Sequence, residues 1–302
     1  MARLSVAEAV VRLKAGGLVV FPTETVYGLA ADATHARAIE QVFALKGRPR
    51  FNPLIVHFRD IDTLKQQVVW TPLAEKLAMQ YWPGPLTMVL DASPQTHIDP
   101  ACTGGLTTLA VRVPVHSLAR SLLRHFPSGI AAPSANLSGR LSPTELTHVY
   151  KNFGDKTPDA LDGGPCQKGM ESTIVDARGE RPRLLREGAI PREDYKDIDV
   201  RPCETVESPG QLIKHYAPVH PLRLNALHVE AGEALLAFGP PLPTNAPVEQ
   251  LSITSNVNEA AARFFAALHR LDKQDISGIA VMPIPDEGLG RVINDRLKRG
   301  AS

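Results

Sequence analysis

Residues 18–29 read Leu-Val-Val-Phe-Pro-Thr-Glu-Thr-Val-Tyr-Gly-Leu, and the fold class follows from working outward from them. Leu18 to Phe21 is a continuous apolar run held between Gly16-Gly17 and Pro22, the pattern of a short buried strand. Upstream, Ser5 and Glu8 form an S-x-x-E capping box, and Val6, Ala9, Val10 and Leu13 follow at helical spacing until the glycines stop the helix. Downstream, a second helix carries Ala38, Ile39, Val42, Phe43 and Leu45 on one stripe, and residues 53–57 predict the next strand.

The alternation continues. Thr71-Pro72 opens a helix with proline in its first position, running to about residue 81. Residues 86–90, 109–113 and 130–132 predict strands, with a helix over 116–125 between the last two. Ser142, Pro143 and Glu145 read as another capping box, and Ile174-Val175 and Leu184-Leu185 supply the last strands of this part. Helices and strands mixed without a strict βαβ rhythm predict an α/β domain on a twisted, mixed sheet with flanking helices.

Residues 197–221 hold four prolines and no clear periodicity, so they read as a linker between residues 1–196 and 222–302. Beyond it, strands at 235–238 and 279–282 and helices at 258–271 and 292–298 predict a small second α/β domain with a Rossmann-like layout. Two domains agree with a length of 302 residues at roughly 150 per domain.

Hydrophobic residues make up 43% and charged residues 22%, as in a soluble globular protein. The net charge is +1 with no basic block, which argues against tight electrostatic binding to bulk nucleic acid. No signal-peptide layout or membrane-length apolar stretch occurs, so the expected setting is cytoplasmic, with no membrane partner. Cys102, Cys166 and Cys203 are too few and too far apart for a disulfide framework or a zinc site.

Three segments combine charge with turn chemistry. In Leu45-Lys46-Gly47-Arg48-Pro49, Lys46 offers a point charge and Arg48 a planar fork, while Gly47 allows close backbone approach. Alone, the segment reads rather as a basic helix end answering the helix dipole. Ala132-Pro133-Ser134-Ala135-Asn136 sets small polar side chains at the C-terminal end of a strand, where α/β sheets place ligands; alone, it is an ordinary Ser/Asn turn. In Pro22-Thr23-Glu24-Thr25, two threonines flank a glutamate in a position to bond a polar substrate, or simply to shape the strand end.

Elsewhere, Arg112 sits inside an apolar run and needs an anionic partner, either an internal carboxylate or a ligand's. His57 ends a strand and reads as a core histidine, Glu171-Ser172-Thr173 and Arg186 flank strands as surface residues would, and Trp82-Pro83-Gly84-Pro85 reads as a rigid turn. Walker, G-x-G-x-x-G, H-E-x-x-H and G-x-S-x-G motifs are absent from the sequence. Cys166, although beside Lys168 in a Gly-rich loop, has no evident histidine partner.

Taken together, PTETVYGL (22–29), KGRPRFNPLIVH (46–57), WPGPLT (82–87), AVRVP (110–114), APSAN (132–136), ESTIVD (171–176) and LLREGAI (184–190) resemble, in that order, the YrdC-like threonylcarbamoyl-adenylate synthase family. SPGQLIKHYAP (208–218) and PDEGLGRVINDRL (285–297) resemble its longer, two-domain branch. The resemblance implies a YrdC-like fold and a nucleotidyltransferase. It would convert L-threonine, bicarbonate (or CO2) and ATP to threonylcarbamoyl-adenylate and pyrophosphate. A separate transferase complex then uses the product to make threonylcarbamoyladenosine in tRNA, so no stable tRNA binding is required here.

Carried over position by position, the resemblance makes Lys46 and Arg48 catalytic. It places Lys46, Arg48, Asn52, Thr108, Ser134, Asn136, Ser142, Arg186 and Tyr216 on ATP. L-threonine falls to Thr25, His57, Arg112, Ala132 and Ser172, with Arg112 on its carboxylate. Mg²⁺ is expected to enter with the ATP phosphates rather than on protein side chains. The linker becomes an active-site lid, with Tyr216 reaching back over the nucleotide. The chain departs from the family pattern at Gln211-Leu212-Ile213, where Met and basic residues are commoner, and at Glu187, where proline is.

Two alternatives share this fold. Carbamoyltransferases that adenylate carbamoyl phosphate join the domain to zinc-finger cysteines and acylphosphatase-like segments, neither of which occurs in this sequence. A non-catalytic double-stranded RNA-binding module would use a concave basic surface, against which the neutral charge and the polar Thr25, Ser134, Asn136 and Ser172 argue.

Overall fold

The computed structural model describes residues 1–195, 197–200, 208, 216–272 and 275–301. Gln211-Leu212-Ile213, Cys203 and most of the expected lid lie outside the described residues.

The first domain begins as its caps predict. In α1 (Val6–Lys14), Ser5 accepts a bond from the Glu8 amide and Glu8 accepts one from the Ser5 amide. There follow β1 (Val19–Phe21), β2 (Gly28–Asp32), α2 (Ala36–Lys46), β3 (Ile55–His57), α3 (Ile61–Lys65) and α4 (Pro72–Tyr81). Next come β4 (Leu86–Asp91), β5 (Thr108–Arg112), α5 (Ser117–His125), β6 (Ile130–Ala131), α6 (Leu146–Phe153), β7 (Thr173–Asp176) and β8 (Arg183–Arg186).

The eight strands form one sheet in the order β1-β2-β6-β3-β5-β4-β7-β8. Only β3–β5 and β4–β7 pair in parallel, so the sheet is mixed, as expected. Strand alternation divides its side chains between two faces. Val20, Leu29, Ala31, Val56, Met88, Val111 and Val175 join α2, α4 and α6 in the main core. On the other face, Val19, Phe21, Ala30 and Ile130 pack under α1 and α5. Further along that face only a small apolar floor remains, comprising Ile55, Val89, Ala110, Ile174 and Leu185.

One local reading is corrected, and one strand has no local signal. Residues 142–145 do not form a capping box: α6 begins at Leu146, Glu145 sits at its N-cap without a side-chain cap bond, and Ser142 is fully buried. The Ser142 hydroxyl instead donates to Glu171 at 2.5 Å, because a tertiary carboxylate competes successfully with the local amides. Strand β2, of composition Gly-Leu-Ala-Ala-Asp, has no strand propensity to announce it and exists through pairing with β1 and β6.

The second domain contains β9 (Leu222–Arg223), β10 (Glu233–Phe238), β11 (Val248–Ser252), α7 (Val257–Leu271), β12 (Gly278–Val281) and α8 (Gly288–Gly300). Its sheet has the order β11-β10-β12-β9 with every pair parallel, the small Rossmann-like layout expected. Helices α7 and α8 share a core that also takes in Leu141, Met170 and Ala189 of the first domain. The two domains are therefore joined by a common apolar contact. Gly169 marks its closest point, where a Cβ would lie 2.2 Å from the Ala262 carbonyl oxygen.

Candidate active site

A crevice opens on the sheet face that α1 and α5 leave bare. Period-two alternation puts Ile55 and His57 of β3, and Thr108, Ala110 and Arg112 of β5, on one face, and His57 pairs with Arg112 in register. Thr25, Arg48, His57, Arg112, Ala132, Ser134, Ser172, Arg186 and Tyr216 all line the crevice. The segments noted in the sequence therefore converge, although they are separated by long stretches of chain.

Each wall has a local cause. Helix α2 ends at Gly47, whose left-handed backbone (φ 60°) suits glycine, and the Arg48 amide then bonds the Phe43 carbonyl. This reversal turns Arg48 inward. Its guanidinium donates to the Asn52 side-chain oxygen at 2.7 Å and to the carbonyls of Asn52 and Pro53. No carboxylate among the described residues pairs with it. Burial, then the nearby Arg186, press its pKa down to about 9.

Lys46 points elsewhere. Its Nζ donates to the backbone carbonyls of Ser134 and Asn136, at 2.6 and 2.5 Å, and the residue does not line the crevice. Burial, then Arg48, hold its pKa well below the usual lysine value. Lys46 thus props the 134–136 loop, whose Ser134 faces the open space.

Arg112 finds the internal carboxylate that its burial required. It donates to Glu24 at 2.5 Å, to the Thr25 hydroxyl at 3.0 Å and to the Gly84 carbonyl at 3.2 Å. Glu24 accordingly serves Arg112 and does not line the crevice, whereas the flanking Thr23 and Thr25 do. Burial opposes the Glu24 charge, but Arg112 more than offsets this and holds its pKa low. The rest of the planar donor fork of Arg112 remains available for a ligand anion.

His57 is buried, its Nδ1 is without a partner, and its pKa falls to about 3, through burial first and the Arg112 charge second. Ser172 and Arg186, which the resemblance assigns to the two substrates, are tied together in the wall. Arg186 donates to the Ser172 carbonyl at 2.8 Å and its hydroxyl at 3.1 Å, and that hydroxyl also bonds Thr87.

The remaining expected residues lie around the crevice rather than in its lining. Asn52 is fully buried with Nδ2 unpartnered, and Asn136 with Oδ1 unpartnered. Thr108 shares a face with Arg112 at the opposite end of β5. Ser142 is held by Glu171. Glu171 itself lines the crevice, and sequence reading gave it no role, since a lone glutamate before a strand ordinarily faces water.

Tyr216 closes one side. Its backbone is left-handed (φ 64°), a conformation that costs a bulky residue about 1 kcal/mol. Its buried ring packs 5.9 Å from Phe265 and 4.6 Å from the Arg296 guanidinium, so the second domain supports it. Cys102 and Cys166 are buried thiols, with burial raising both and pushing Cys166 up to about 12, which suits neither as a nucleophile. No cluster of metal-ligating side chains occurs among the described residues.

Residues 11–188 match the Sua5/YciO/YrdC family model, described as telomere recombination, and residues 183–302 match the threonylcarbamoyl-AMP synthase C-terminal domain. The threonylcarbamoyl-AMP synthase of Pyrococcus abyssi is 34% identical over 96% of this chain and 92% of its own length. That of Bacillus subtilis is 35% identical over 98% and 92%. The crystal structure of P. abyssi Sua5 complexed with L-threonine superimposes with a TM-score of 0.89, at 33% identity, covering 99% of this chain and 96% of that one.

Proposed function

The chain belongs to the two-domain Sua5 family of threonylcarbamoyl-AMP synthases, and we propose that its crevice joins L-threonine, carbon dioxide from bicarbonate, and ATP into threonylcarbamoyl-AMP. The observation that carries this reading is the crevice's group of buried cations. Arg112 lines it, oriented by Glu24, and Arg48 lines it beside Arg186 with no carboxylate of its own among the described residues.

Arg112 takes the threonine carboxylate, with Thr25, His57, Ala132 and Ser172 around the rest of the amino acid. The neutral amine captures CO2 as a carbamate and releases a proton. A carbamate oxygen then attacks the α-phosphorus of ATP, and pyrophosphate leaves. No covalent enzyme intermediate is needed, so the work is positioning and charge stabilisation. Arg48 and Arg186 face the phosphates, and Lys46 acts by holding Ser134 in place. Asn52, Thr108, Asn136 and Ser142 complete the ATP side from behind the lining. His57 stays neutral at physiological pH and adds no charge beside the amine.

The carbamate reverts to amine and CO2 on protonation and the mixed anhydride hydrolyses, so excluding water matters. Tyr216, held by the second domain, supports the lid reading of the linker. Mg²⁺ arrives on the triphosphate, where it supplies charge neutralisation. The product passes to a separate tRNA threonylcarbamoyl transferase complex, in a cytoplasmic setting. No described helix is long and apolar enough to cross a membrane.

The test is conversion of ATP to AMP-containing product and pyrophosphate with each substrate omitted in turn. Turnover must require both L-threonine and bicarbonate. Equal turnover without threonine would overturn the reading.

A further inference from the structure

Of the described residues that line the crevice, only Glu171 carries a carboxylate. An uncompensated carboxylate in the wall of a site for a triphosphate would repel its ligand. Glu171 feels the charge of Arg186 in its own domain, but its ion-pair partner comes from the other. Arg296 of α8 donates through Nε to one carboxylate oxygen at 3.1 Å, and Ser142 donates to the other at 2.5 Å. The two charged side chains are 1% and 6% exposed, so water screens little of their interaction.

The same guanidinium reaches two more parts of the crevice. Its Nη2 donates to the Glu187 carbonyl at 2.6 Å, one residue beyond Arg186. Its face lies 4.6 Å from the Tyr216 ring centroid, within cation–π range. Asp295, which also binds Arg299, takes its remaining side. One side chain therefore meets the segment before β7, the end of β8 and the closing tyrosine. A residue needed only to glue two domains together would not have to converge on the crevice in this way.

We propose that Arg296 is a positioning residue for the nucleotide, by which the second domain cancels the charge of Glu171 and sets Arg186 and Tyr216. The inference rests on the ATP-site reading above. It gives the second domain a direct part in ATP affinity, with no contact to the ligand.

The experiment compares steady-state kinetics of the full chain with Arg296→Met, Glu171→Gln and the double variant. Arg296→Met should raise the KM for ATP about tenfold or more, with the KM for L-threonine changed less than about threefold. The double variant should recover most of that loss, because Glu171→Gln removes the charge that repels phosphate. Losses that multiply in the double variant, or equal rises in both KM values, would overturn the proposal in favour of simple bracing. If Arg296→Met does not fold, Arg296→Lys carries the test: it keeps the charge but loses the planar fork, so the ATP KM should rise about threefold or more with the threonine KM unchanged, and equal rises in both would overturn the proposal. A parent chain without threonine-dependent ATP turnover defeats the functional reading itself. An active parent matched by Arg296→Met in its ATP KM defeats only the present inference.

Discussion

Lys46 Nζ donates to the carbonyl oxygen of Ser134 at 2.6 Å, across 88 residues of chain. Lys46, which the sequence resemblance assigns to ATP, holds in this way a loop whose Ser134 lines the crevice, with Asn136 as its second anchor. Lys46→Met should strip both carbonyls of a partner. Stability should fall by about 2 kcal/mol and threonine-dependent turnover by roughly 10²-fold. Denaturant midpoints and rates check the two together. A lost rate at an unchanged midpoint would return Lys46 to the ligand.

Arg48 presents the opposite balance. Its charge is buried without a carboxylate among the described residues, and its pKa is pressed down to about 9, so it costs the free protein stability. Arg48→Met should leave the thermal midpoint unchanged or raised, while turnover falls roughly 10²-fold. A clear drop in the midpoint would show that its bonds to Asn52 and Pro53 outweigh the buried charge.

The Arg112–Glu24 pair is sealed, with side chains 4% and 2% exposed. Glu24→Gln leaves a buried cation without its counter-charge and should destabilise by about 3 kcal/mol. It should also raise the KM for L-threonine, because Arg112 loses its main orienting partner. Thermal melts and threonine titrations check both effects; an unchanged threonine KM would detach Glu24 from substrate binding.

His57 predicts a pH dependence of stability. Its pKa falls from 6.5 to about 3 on folding, so between those values the unfolded chain binds the extra proton. The stabilising contribution is therefore complete above pH 6.5 and is lost as the pH falls toward 3. From neutral pH to about pH 5 the loss is up to about 2 kcal/mol. Melts of the parent and of His57→Gln should show the smaller acid sensitivity in the variant. Parallel curves would contradict the shift.

Gly169 tests the domain contact. With φ at 66° and a Cβ site 2.2 Å from the Ala262 carbonyl, it has no room for a side chain. Gly169→Ala should push α7 away and lower stability by about 2 kcal/mol or more. Turnover should fall as well, through the displaced support of Tyr216. A variant matching the parent in both would show that the contact yields freely.

The sequence by itself determined the elements with strong local signals. The Ser5–Glu8 box, the Thr71-Pro72 helix start and the apolar run before Pro22 act within a few residues, where capping and burial need no distant partner. It also marked the segments that meet at the crevice, through their ordered occurrence together, since each alone reads as an ordinary turn or helix end. Tertiary structure decided the rest. Strand β2 exists through its neighbours, Ser142 leaves a helix cap for Glu171, and Glu24 supplies the internal carboxylate that Arg112 needs. Glu171 in turn depends on Arg296, 125 residues away. A buried charge is set by whatever stands opposite it in space, and spacing along the chain carries no record of that partner.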